Sequence, residues 1–218
     1  PVQAAAIMLP TMGVMDAFGV WSWRARFDRQ VFAHLLPAAI LGIGLGYWFA
    51  ASLSADWIRI LVALVGLAFL GNEYFIKPRL FHRTGAEQDP PRHNRFWGWL
   101  CGAGAGFTSF VAHAGSPPYQ IYVQPLRLEP ILFASTAICF FAIVNVIKLV
   151  PYFALGQFDA TNLMTSLVLL PLAPIAVFIG VYLTKRISKH VYYAMLNALL
   201  LILCVQLLWQ GRAALLGA

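Results

Sequence analysis

The chain has 218 residues, 61% of them hydrophobic and 11% charged, with a formal net charge of +7 at pH 7. A water-soluble domain carries about 25% charged residues. This composition, with a mean hydropathy of +0.74, therefore excludes an ordinary soluble fold and predicts an all-α, polytopic membrane bundle. The positive balance does not point to nucleic acid, because the basic residues sit in short links between apolar runs, as they do in cytoplasmic membrane loops.

Residues 1–21 form an apolar segment that holds Asp16, followed by a basic link with Arg24, Arg26 and Arg29. A second span covers about 31–51, a link at 52–56 has no Lys or Arg, and a third span covers about 57–76. The polar stretch 77–95, with Lys77, Arg79, Arg83, Arg92 and Arg95, reads as a linker between two halves, 1–76 and 96–218. The second half opens with an irregular stretch, 96–126, closed by Arg127 and Glu129. Spans follow at about 130–154, 160–184 and 191–210. The link at 156–160 has no basic residue, and the last link carries Lys185, Arg186 and Lys189. The spans approach or exceed the ~20 residues that cross a bilayer.

The irregular stretch is the informative one. It places Gly102, Gly104, Gly106 and Gly115 among small residues, then breaks at Ser116-Pro117-Pro118. This pattern predicts two half-helices meeting at a turn inside the membrane. Ser116 suits a helix cap and Pro117 the first helical position. The half-helix 117–126 is about 15 Å long, half the hydrocarbon thickness. Its start directs a positive dipole end inward, where an anion can sit. Charge supports the same turn. With the links 24–29, 77–95 and 185–189 in the cytoplasm, all but Arg59, Lys148 and Arg212 of the 15 Lys and Arg lie inside. That holds only if 96–126 enters from the cytoplasm and returns to it.

The two halves also resemble each other. Pro37, Gly46 and Ser54 match Pro171, Gly180 and Ser188 at one constant offset, and Pro1 and Asp16 match Pro130 and Asn145 at another. In the charge-derived orientation the matching spans run in opposite directions, an inverted-topology repeat of the kind that builds secondary transporters. The repeat predicts a first hairpin, equivalent to 96–129, ahead of Pro1.

Three stretches resemble the TauE/SafE sulfite exporter family: Gly106 to Pro118, Asn145 to Tyr152, and Leu170 to Gly180. The span from Asp16 to Arg24 fits the same pattern, so the resemblance covers nearly the whole chain. It implies two inverted repeats, residence in a bacterial cytoplasmic membrane, and transport, most readily export, of sulfite, a sulfonate or a related organic acid. The hairpin here reads Ala114-Gly115-Ser116-Pro117-Pro118, where many members of the family carry a further glycine.

Candidate substrate-binding residues are His113, Gly115, Ser116, Pro117, Gln120, Asn145 and Lys148. Lys148 is the one Lys or Arg well inside an apolar run. An intramembrane charge is a functional hypothesis by default, set against a side chain that snorkels to the interface. Asn145, on the same helix face, could donate to an oxyanion or bond a neighbouring helix. Asp16, at the position equivalent to Asn145, is the candidate for proton coupling or for pairing with a basic group. His113 could bind or relay protons, since imidazole titrates near physiological pH, or simply pack. Gln124 is expected near the cytoplasmic surface, and His34 and Asn197 in core hydrogen bonds. Seven tryptophans near span ends read as interfacial anchors. Cys101, Cys139 and Cys204 have no metal-ligand spacing, and Gly-x-Gly without a preceding strand is no nucleotide fingerprint, so no metal or cofactor is expected. A channel for anions is the alternative to a carrier. Hydrolysis by Ser116 and His113 is disfavoured by Pro117 directly after the serine, so no enzyme is expected.

Overall fold

The computed structural model describes residues 2–23, 26–49, 55–76, 93–154 and 171–216. Among them are eight α-helices and no strand. In chain order these are α1 (Val2–Trp23), α2 (Arg29–Phe49), α3 (Ala55–Gly71, continued by a π-helical turn Asn72–Ile76), α4 (Arg95–Ala112), α5 (Ser116–Val123, continued by a 3₁₀ turn Gln124–Leu126), α6 (Pro130–Ala154), α7 (Leu172–Arg186) and α8 (Lys189–Leu216). Four stretches are long and apolar enough to cross a bilayer: Arg29–Phe49, Asp56–Tyr74, Pro130–Ala154 and Lys189–Arg212. The expected all-α membrane bundle is therefore what the chain builds. Most of the linker (77–92), the links 50–54 and 155–160, and the first part of the expected span 160–184 lie outside the described residues, as do Pro1 and Arg24.

No unbroken rod runs from Trp97 to Gln124. Helix α4 stops at Ala112, and α5 folds back along it. Gly98 lies against Tyr122 and Gly104 against Pro118, so the two arms are antiparallel. The hairpin is seated on α2, its most extensive packing partner. A β-carbon on Gly102 would come 2.4 Å from the Leu35 carbonyl oxygen, one on Gly106 2.0 Å from that of Ala39, and one on Gly42 2.1 Å from that of Ala103. These helices touch backbone to backbone, the contact that small residues permit where water drives no burial. Gly102 and Gly106 thus permit this close packing. Gly104 makes no such approach, since a β-carbon there would meet Pro118 no closer than 3.6 Å.

The remaining helices pack in a reciprocal pattern: α1 against α6 and α7, α6 against α1 and α2, and α3 against α8. One end of the bundle gathers the basic links. Lys189 pairs with Glu129 at 3.1 Å and Arg127 with Glu73 at 3.2 Å. Lys185 lies over the Trp23 ring, and the Asp28 amide donates to Thr136 Oγ1 at 3.0 Å. Arg59 and Arg212 belong to another part of the bundle, where Arg59 pairs with Asp56 and Gly211 packs on Ile60. Large apolar side chains such as Leu41, Val146, Val150, Phe153, Ile202 and Val205 are exposed and form a lipid-facing surface. Six of the seven tryptophans are exposed as anchors should be, but Trp23 is buried beneath Lys185. The three cysteines are buried and unlinked.

Candidate functional site

A helix that ends inside a bundle leaves carbonyls without intrahelical partners. At the tip of the hairpin, His113 adopts the left-handed conformation (φ 52°) that terminates α4. The Thr108 carbonyl accepts the Ala114 amide at 3.1 Å. The Ser109 carbonyl accepts from His113 Nδ1 at 3.0 Å and from Lys148 Nζ at 3.2 Å. The Phe110 carbonyl accepts from the Tyr152 hydroxyl at 2.8 Å. Lys148 and Tyr152 are one turn apart on α6, so a single helix face closes the broken end of α4. Lys148 also donates to Ser109 Oγ at 3.0 Å. It is 1% exposed and does not snorkel outward. Its ammonium faces the negative end of the α4 dipole, the favourable sign.

The start of α5 departs from the expectation of a serine cap. The helix begins at Ser116 itself, preceded by Gly115, and no side-chain cap bond is made. The reason lies in the two prolines. A cap oxygen accepts from the second or third helical amide, and Pro117 and Pro118 have none to give. The Tyr119 amide is already bonded to the Gly115 carbonyl at 3.3 Å. Backbone donors at this helix start are thus fewer than a generic N-terminus offers, and the Ser116 hydroxyl is left for other partners.

The tip, α1, α6 and α7 enclose a cavity of about 350 Å³. Its polar lining is Asp16, Ser109, His113, Ser116, Asn145 and Lys148; Met12 and Phe141 are among its apolar walls. The volume lies at the small end of the ligand-site range, ~300–1,000 Å³. Asn145 Nδ2 donates to Asp16 Oδ2 at 2.7 Å, joining α6 to α1 across the cavity wall. One acidic and one basic side chain therefore share the cavity with neutral hydrogen-bonding groups.

Of the residues singled out in the sequence, Asp16, His113, Gly115, Ser116, Asn145 and Lys148 converge here. Pro117 does not line the cavity: it is fully buried, with its ring near Gly66 of α3. Gln120 lies one turn beyond Ser116, also outside the lining. Gln124 is not at the surface but buried, bonded to Asn197. His34 and Asn197 are hydrogen-bonded as expected, His34 to the Tyr122 hydroxyl at 2.7 Å. Ser109 was missed, although it precedes His113 by one helical turn and so shares its face. Among the described residues no cluster of three metal-ligating side chains occurs.

Fold and site together define a helical membrane protein with a charged cavity built around a broken hairpin. The sequence family described as Sulfite exporter TauE/SafE matches residues 1–207. The chain belongs to that family, which is one of membrane transporters and not of enzymes. No curated protein and no solved structure gives a significant match.

Proposed function

We propose that the chain is a secondary carrier that binds one small oxyanion, sulfite or a small sulfonate, in the cavity at the hairpin tip. The observation that carries this reading is the buried Lys148 ammonium, held beside the cavity by Ser109, with no carboxylate in ion-pair contact among the described residues. A cation anchored by neutral acceptors keeps its charge available to a guest, whereas a tight ion pair would cancel it. The Ser116 hydroxyl and the second N–H of Asn145 supply hydrogen bonds to the same space.

In this reading the halves 1–76 and 96–218 are inverted repeats joined by the linker 77–95, as the equivalences in the sequence suggest. Asp16 and Asn145, equivalent by sequence, bond to each other. The reciprocal packing of α1 with α7 and of α6 with α2 has the form of a two-fold relation through that bond. The hairpin is re-entrant, its open end lies with the basic links on the cytoplasmic side of a bacterial inner membrane, and transport is outward. Asp16 is the proton-coupling group: protonation removes its charge and loosens its hold on Asn145.

Proteoliposome flux tests this. Sulfite uptake into inside-out vesicles should saturate, fall sharply in Lys148→Ala, and respond to an imposed pH gradient that Asp16→Asn no longer senses. Flux unchanged by Lys148→Ala would remove the proposed role of Lys148. Flux indifferent to the gradient would remove the coupling, and single-channel currents would make the protein a channel.

A further inference from the structure

Several of the buried side-chain polar atoms without a hydrogen-bond partner among the described residues lie along α5 and its 3₁₀ extension. Gln120 and Gln124 follow Ser116 at successive turns, so the three side chains form one slanting stripe from the cavity toward the end that gathers the basic links. The other sides of α5 are closed by packing: Pro118 on Gly104, Tyr122 on Gly98, and Tyr119 among Phe133, Phe140 and Phe141. Gln124 is 4% exposed. Its Nε2 donates to Asn197 Oδ1 on α8, and Asn197 Nδ2 donates onward to the Tyr74 hydroxyl at 3.0 Å. Gln120 Oε1 and Gln124 Oε1 remain buried with no hydrogen-bond partner among the described residues. Two buried amide oxygens without a partner, on consecutive turns of one helix, call for a polar visitor.

The amide chain can run in either sense. A carboxamide turned over exchanges its oxygen and nitrogen, and the Tyr74 hydroxyl donates as readily as it accepts. In the sense described, Gln124 shows its neighbourhood an oxygen, which suits water. In the reverse sense, Tyr74 donates to Asn197 Oδ1 and Asn197 Nδ2 donates to Gln124 Oε1. Gln124 Nε2 is then free to donate, which suits an oxyanion. We infer that the stripe Ser116–Gln120–Gln124 is the route between the cavity and the basic end, with Gln120 and Gln124 a second, transient station for the same hydrated small oxyanion. This rests on the cavity being the transport site, and the test separates the two.

In a background with Cys101, Cys139 and Cys204 replaced by alanine, Ser116→Cys, Gln120→Cys, Gln124→Cys and Val123→Cys are reconstituted. Each is treated with a membrane-impermeant anionic methanethiosulfonate from the side of the basic links. The first three should react, while Val123→Cys, on the apolar side of α5, should not. Reaction at Ser116→Cys alone overturns the route and leaves the cavity reading standing. Reaction at none of the three overturns both. Reaction at Val123→Cys as fast as at Gln124→Cys means that the hairpin opens as a whole, and the route is wrong. Should the cysteine variants fail to fold, Gln120→Met/Gln124→Met in the native-cysteine protein keeps the volume and removes the amides. Sulfite flux should then fall by about ten-fold while sulfite binding at the cavity is unchanged. Unchanged flux in that variant overturns the proposal.

Discussion

Two breaks in this chain use the same backbone device in opposite surroundings. His113 (φ 52°) ends α4 beside the cavity, and Arg127 (φ 50°) ends the hairpin at the basic end of the bundle. Both are non-glycine residues in the left-handed region, a conformation that strains an ordinary side chain. At Arg127 the surroundings are simple: the side chain is 61% exposed and pairs with Glu73, while Lys189 pairs with Glu129 nearby. His113 is half-buried at the cavity wall. The orphan carbonyls of Ser109 and Phe110 are taken by Lys148 and Tyr152, delivered from another helix. The same turn is thus inexpensive at the surface and requires dedicated side chains in the interior. The interior version brings with it a buried cation at the wall of the cavity.

The contrast can be broken by substitution, and the effects should be graded. Lys148→Met removes the cation and leaves the Ser109 carbonyl to His113 alone. Hydrogen bonds to charged groups contribute about 1.5–3 kcal/mol, so sulfite flux should fall by about 10–100-fold. The melting temperature in detergent should fall with it. Gly106→Ala tests the seating of the interior break. The new β-carbon would meet the Ala39 carbonyl, a clash with backbone that cannot rotate away. Overpacking of this kind costs about 1–3 kcal/mol, read by thermal unfolding, with binding of sulfite weakened if the tip shifts. His113→Gly relieves the left-handed strain, ~1 kcal/mol, and loses the bond from Nδ1 to Ser109, worth about the same. Stability should change little, and any loss of flux then reports the imidazole itself. Arg127→Ala, the exposed counterpart, should alter stability by less than ~1 kcal/mol and leave flux unchanged at high salt.

Much of the fold was legible in the residues because membrane helices announce themselves by length and by the distribution of charge. Four of the spans, the reversal of the chain just ahead of Ser116-Pro117-Pro118, and the gathering of Arg127, Lys185 and Lys189 at one end all follow from local pattern. Two things did not. The type and position of Ser116 suit a cap, but the next two residues have no amide to be capped. The anchoring of Lys148 by Ser109 joins residues 39 apart in sequence on different helices, and no periodicity encodes such a contact. Asp16 and Asn145 match in sequence at a constant offset, but their hydrogen bond appears only when α1 and α6 are packed face to face. Gln124 illustrates the same limit, placed near the surface by its distance from the turn and buried in fact beneath Asn197.

In the proposed mechanism the cation that closes the interior break also holds the substrate. The most direct measurement is calorimetric titration of the purified protein with sulfite, comparing the native chain, Lys148→Met and Arg127→Ala under identical conditions. Binding should be saturable for the native chain and for Arg127→Ala, and weakened by at least about ten-fold in Lys148→Met. Equal affinity in Lys148→Met and the native chain would contradict it.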